Sequence, residues 1–126
     1  MRKVLIIILC LLMTLVLCAK EYSFDYVYIY NPIETNGKVL QVSSRLHTNK
    51  IVFKEKFISF TIRDANFVGF EKDRDIITQD GVESLVIYFE LVEKPSKKCK
   101  FNICNKDLIY LHVDADLWVF SNIPIL

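Results

Sequence analysis

"SLVIYFELVEKPSKKCKFNICNKDLIYLHVDADLWVFS", Ser84 to Ser121, is the stretch on which the fold turns. Its apolar runs are "SLVIYFELV" (Ser84 to Val92), "KCKFNIC", "DLIYLHV" (Asp107 to Val113) and "LWVFS" (Leu117 to Ser121), parted by "EKPSKK", "NKD" and "DAD". Connections this short and polar leave no room for a crossover. They join neighbouring strands that run in opposite directions, so the stretch reads as an antiparallel meander.

The same texture continues upstream. "YSFDYVYIY" (Tyr22 to Tyr30) is followed by the turn-rich "NPIETNG" and then by "KVLQVSS" (Lys38 to Ser44). "NKIVF" and "FISFTI" are extended runs separated by the charged "KEK". "NFVGF" follows "RDA", and its Gly69 marks a bulge or a close approach of backbone. "EKDRD" and "TQDGVES" form the least patterned region, with Asp80-Gly81 as a strong turn signal. After residue 19 the only alanines are Ala65 and Ala115, while Val, Ile, Phe and Tyr abound, so local preference favours strands over helices. The expected fold class is all-β: a small antiparallel meander of about eight short strands curled into a barrel or folded into a sandwich, after an N-terminal signal helix. Pro124 in the tail "NIPIL" cannot donate to a ladder, which places the tail along an edge or over an open end.

The N-terminus reads as an export signal. Arg2 and Lys3 precede a run from Val4 to Ala19 that holds no charge. At about 1.5 Å per residue the run reaches roughly 24 Å as a helix, short of a hydrocarbon core of about 30 Å, so cleavage is favoured over a permanent anchor. Residues 1–19 are therefore expected to be a signal peptide, cleaved after Cys18 or Ala19. The alternative is a lipoprotein signal ending at Cys18, although Leu17 stands where a small residue is usual. The domain expected outside the cytosol, secreted or envelope-associated, is a single β domain over 20–126. Two of the 16 lysines and arginines are Arg2 and Lys3, so 14 face 15 Asp and Glu and the domain is close to neutral. Such a balance gives no footing for nucleic acid as a partner. Membrane contact is expected only through the signal segment or a lipid on Cys18.

Beyond the signal, Cys99 and Cys104 are the remaining thiols. An oxidising compartment invites a disulfide between them. Strand geometry opposes it, since five extended residues part the Cα atoms by about 16 Å and send the side chains to opposite faces.

Three constellations are candidate sites. In "YLHVDADLWVF", a continuous strand would align His112, Asp114 and Asp116 in one row, a candidate metal set with His47 as a candidate further ligand from elsewhere in the chain. The plainer reading makes Asp114, Ala115 and Asp116 the reversal between two strands, since aspartate suits turns better than sheets. The second is the aromatic row Tyr22, Phe24, Tyr26, Tyr28 and Tyr30, which in a regular strand shares one face. That row is the leading ligand-binding candidate, weighed against a strand packed on one side and covered by a loop on the other. Third, Lys94, Lys97, Lys98 and Lys100 crowd one turn, where they suit an anionic lipid or partner, or simply keep a hairpin tip soluble. Trp118 and Phe120 share a face and read as core.

Catalytic patterns are missing from the sequence. Gly37, Gly69 and Gly81 are isolated, which precludes a phosphate loop, and there is no G-x-S-x-G serine. No cofactor is implied. The expected role is that of an exported β domain that binds an unidentified protein or small molecule. The alternatives are a metal-dependent hydrolase or metal-binding protein using His112, Asp114 and Asp116, and a structural envelope lipoprotein.

Overall fold

The computed structural model describes residues 20–126. The expected signal segment, its cleavage points and Cys18 lie outside the described residues. Those residues form ten strands: β1 (Lys20–Ser23), β2 (Tyr26–Tyr30), β3 (Val39–Ser43), β4 (Lys50–Lys54), β5 (Phe57–Ile62), β6 (Ala65–Gln79), β7 (Val82–Leu91), β8 (Cys99–Asn105), β9 (Leu108–Val113) and β10 (Asp116–Ser121). All belong to one antiparallel sheet of order β1-β4-β5-β6-β7-β8-β9-β10-β2-β3.

Tight reversals build the meander from β4 to β10. Arg63-Asp64 (φ 48° and 69°) and Asp80-Gly81 (φ 53° and 78°) each place two left-handed residues between paired strands, the hairpin geometry that matches strand twist. Glu55 and Asp114 supply one left-handed residue each to the β4–β5 and β9–β10 turns. Aspartate tolerates this conformation because its short side chain can bond the neighbouring backbone.

The sheet cannot lie flat. β1 and β2 are parted in sequence only by Phe24 and Asp25, yet β1 pairs with β4 and β2 with β10, near opposite ends of the strand order. The chain itself therefore draws the two ends together and curls the sheet into a half-barrel. Asn49 holds the junction. Its carbonyl accepts from the Phe24 amide at 2.8 Å, and its side-chain Oδ1 accepts from the Arg63 amide at 2.9 Å. Its Nδ2 donates to the Ser44 carbonyl at 3.1 Å.

This architecture corrects the sequence-based expectation. All-β and antiparallel hold, but the described residues form ten strands in one curled sheet, with no second sheet among them to make a sandwich. The ladder ends at β1 and β3 rather than closing into a barrel, and no helix occurs among the described residues. The strand count rises because the chain kinks at Phe24-Asp25, which divides the run from Tyr22 to Tyr30 into β1 and β2. The charged "EKDRD" is also strand: β6 runs for 15 residues and, with β7, projects as a ribbon past β5 and β8. Ile76 and Val82 on that ribbon are exposed.

Alternate residues of each strand line the inner face. Ile58, Phe60, Ile87, Phe89, Phe101, Ile109, Leu111 and Phe120 are all buried in one cluster. Phe89 stacks on Phe101 with centroids 4.8 Å apart, and Phe60 meets both edge-on at 6.1 and 5.6 Å. Such pairs add about 0.5–1.5 kcal/mol each beyond the area they bury. Below them Glu71 is buried at the β6 bulge, where Arg74 Nε donates to it at 2.6 Å and Lys56 Nζ lies 3.3 Å away. Its charge is thus compensated where an unpaired carboxylate would be costly.

Gly69 makes the aromatic packing fit. A Cβ there would lie 2.7 Å from Phe89 Cδ2 and 2.8 Å from the Glu90 carbonyl, so the close approach read from the sequence is real. Gly69→Ala is expected to destabilise the protein by about 1–3 kcal/mol, with part of the loss recovered by Phe89→Leu. Urea denaturation of the two variants tests this, and an unchanged midpoint for Gly69→Ala would mean that Phe89 is not held where the packing requires.

Candidate functional site

Along the inner face the core stops short of one end. The reversals β5–β6, β7–β8 and β9–β10 lie at that end, and between them the apolar wall surrounds a cavity of about 660 Å³. Phe60, Leu111 and Val113, members of the core cluster, form its floor with the half-buried Ile62, Leu91 and Trp118. Phe67 stacks on Phe60 at 5.1 Å and extends the wall toward solvent. Apolar side chains that would elsewhere pack against each other here face an opening of the size that small ligands occupy.

The rim is polar and fixed. Arg63 comes from the left-handed β5–β6 turn, and Lys94 and Lys97 come from the β7–β8 connection. The Lys97 amide donates to the Lys94 carbonyl at 3.2 Å, with Pro95 between them, so both lysines belong to one closed turn. Glu93 and Asp116 are the rim carboxylates. Asp116 Oδ1 accepts from Asn31 Nδ2 at 2.6 Å. Asn31 is buried, and its Oδ1 also accepts from the Ile33 and Glu34 amides, so the β2–β3 turn is tied to β10 at the mouth.

A second depression, of about 590 Å³, lies on the outer side of the sheet. Lys72, Lys98, Lys100, His112, Glu90 and Asp114 line it, and Lys72 lies 3.5 Å from Glu90. The lysine cluster of the "EKPSKK" region is therefore divided: Lys94 serves the cavity, Lys98 and Lys100 the outer groove, and Lys97 borders both.

The structure separates the proposed metal row. Asp114 and Ala115 alone make the reversal, since Asp116 already pairs with Val113 as the first residue of β10. Asp114 bends back so that its Oδ1 accepts from the Lys98 amide at 2.8 Å. His112 and Asp114 consequently border the outer groove, while Asp116 borders the inner cavity. His47 is elsewhere, with Nδ1 2.8 Å from Asp64 Oδ2. Asp64 also accepts from the Thr48 amide, and that bond, followed by the one with His47, holds its carboxyl below the usual range. Among the described residues no group of three or more His, Cys, Asp or Glu side chains is disposed to hold a metal ion.

The aromatic row is also divided. Tyr22 meets Phe53 edge-on at 6.0 Å, and Phe24 meets Phe120 at 5.5 Å, both against the core. The kink at Phe24-Asp25 then inverts the alternation, so Val27 takes the inner face while Tyr26 and Tyr28 stack together at 6.3 Å on the other, with Tyr30 beyond them. Tyr28 is wholly buried, and its hydroxyl accepts from the Ile125 amide at 3.2 Å, so the C-terminal tail covers this part of the strand. The five rings do not share one face because the strand is not regular.

Cys99 and Cys104 are free thiols on the same strand. Burial pushes both thiols up from their ordinary range, with the Asp114 charge adding to the effect at Cys99. Trp118, which reads as core in the sequence, is half-buried and lines the cavity. No helix of the described residues is long and apolar enough to cross a membrane. Comparison with protein-family models, curated proteins and solved structures finds no match to this chain.

His112, on the outer groove, is expected to make folding stability depend on pH. Burial, and secondarily the nearby Lys100, lower its pKa from the ordinary 6.5. The unfolded chain therefore takes up the proton first, and the stability that neutral His112 contributes is full above 6.5 and lost as pH falls through the lowered folded value. Urea midpoints should fall between about pH 7.5 and about pH 5, and His112→Gln should flatten that decline. An equal decline in the variant would assign the pH dependence to other groups.

Proposed function

We propose that this protein binds a small apolar molecule in the cavity at the mouth of its curled sheet. The observation that carries the reading is the cavity itself: apolar side chains of the core line a space of about 660 Å³ without filling it. Unfilled apolar volume costs a domain stability, because the lining atoms lose contacts that close packing would supply. A ligand that occupies the space restores those contacts. The convergence of rigid turns at the rim adds a few oriented polar groups, as recognition of a small molecule requires.

Export belongs to the same proposal. It is supported by Arg2, Lys3 and the uncharged run from Val4 to Ala19, and it places the binding domain in or beyond the cell envelope, either free or held by a lipid on Cys18. Intact mass of the chain from its native cells distinguishes these. An N-terminus at Cys18 with acyl chains gives the anchored form, and one at Ala19 or Lys20 the free form. A mass that retains Met1 to Leu17 removes the proposal of cleavage.

Nile red, a neutral dye whose emission rises in apolar surroundings, tests the cavity. The full chain should bind it saturably with one dye per chain, and Leu91→Trp should weaken binding at least about tenfold by filling the space, with an unchanged circular dichroism spectrum. Absence of saturable binding, or binding indifferent to Leu91→Trp, would overturn the reading.

A further inference from the structure

We infer that the ligand of the cavity is an amphiphile, an apolar body bearing one anionic group, held with its anion between Arg63, Lys94 and Lys97. The inference rests on the cavity-binding reading and adds the chemistry of the ligand's polar end. Floor and rim differ in character. Phe60, Leu111 and Trp118 supply an apolar floor, whereas three cations stand at the opening. Among the described residues none of the ion pairs involves Arg63, Lys94 or Lys97.

The carboxylates of the rim do not cancel them. There are two, Glu93 and Asp116, against three cations, and Asp116 is already engaged by the Asn31 amide at 2.6 Å. Glu93 is exposed and stands one residue from Lys94. An anion arriving at the rim therefore meets a net positive group of charges, while a cation is repelled by the same three side chains.

The turn geometry supports this assignment. Lys94 and Lys97 occupy the first and last positions of one closed turn, so their Cα atoms lie within about 7 Å, and Pro95 restricts the backbone between them. Arg63 sits in a two-residue hairpin turn with little freedom, and the Asn49 side chain accepts its amide at 2.9 Å. A site whose backbone is already fixed loses less freedom when it binds, which favours recognition by these cations over casual surface contact.

The sole tryptophan, Trp118, lines the cavity, so its fluorescence reads occupancy directly. The probes are dodecanoate and dodecanol, equal in chain length and different in charge, titrated into the full chain below the concentrations at which either self-associates. Dodecanoate should bind roughly three- to tenfold more tightly, the effect of an exposed ion pair or two, and the preference should vanish in the variant Arg63→Gln/Lys94→Gln/Lys97→Gln. Raising the salt concentration should shrink it as well. Equal affinity for the two probes overturns the inference and leaves the cavity reading intact. A preference for dodecanoate that survives in the triple variant also overturns it, because the anion is then held elsewhere. If neither probe alters Trp118 emission while Nile red binds, the amphiphile is wrong and the cavity stands. If Nile red fails as well, both readings fall together.

Discussion

The structure depends on one constraint of connectivity: eleven consecutive residues, Lys20 to Tyr30, pair with β4 through their first part and with β10 through their last. A flat sheet cannot satisfy both ladders, because five strands stand between β4 and β10 in the strand order. Curling satisfies both, and it creates an inside. Once the inner face exists, alternate apolar side chains of the strands that line it pack there, and the aromatic cluster of Phe60, Phe89 and Phe101 follows. Asn49 matters far beyond its size, since it binds the kink, the Ser44–Asn49 loop and the Arg63 turn through the atoms of one residue.

The two ends of the curled sheet are treated differently. At one end Glu71 is buried with Arg74 and Lys56, and the large rings above it fill the width between strands. At the other, the apolar wall continues through Phe67, Leu91 and Trp118, but among the described residues no side chain fills the middle. Turns with fixed geometry surround that opening, one through the Asn31–Asp116 bond and another through the Lys94–Lys97 turn. The proposed ligand site arises from this asymmetry and not from any short motif. An apolar binding cavity needs shape and a few oriented charges, and neither leaves a fixed spacing in the chain.

Several elements were legible in advance. The Asp80-Gly81 reversal announced itself, and Gly69 was recognisable as a bulge or a close approach, of which the second is seen beneath Phe89. The long β6 was not legible, because "EKDRD" carries no apolar alternation; its strand conformation comes from pairing with β7, and much of it faces water on both sides. The aromatic row misled for a related reason. Alternation predicts a shared face only while the strand stays regular, and nothing in "YSFDYVYIY" identifies Phe24-Asp25 as the place where the parity changes.

By itself the sequence determined the class and the rhythm of this protein. β-branched and aromatic runs broken by turn residues can bury their apolar surface only by pairing in an antiparallel sheet, so all-β and a meander were settled locally. It also fixed which groups exist to be used: one tryptophan, a lysine-rich connection and a histidine near two aspartates. Which of them meet was decided by the tertiary structure alone. The curl brings Trp118 of β10, Arg63 of the β5–β6 turn and Lys94 and Lys97 of the β7–β8 connection to one opening, while the register of the β9–β10 hairpin sends His112 and Asp116 to opposite sides of the sheet. The physical reason is that a side chain's face is inherited from strand parity and register, while its neighbours across the cavity are set by how far the sheet bends. Parity is partly written in the chain, and the bend depends on pairings between residues far apart in it.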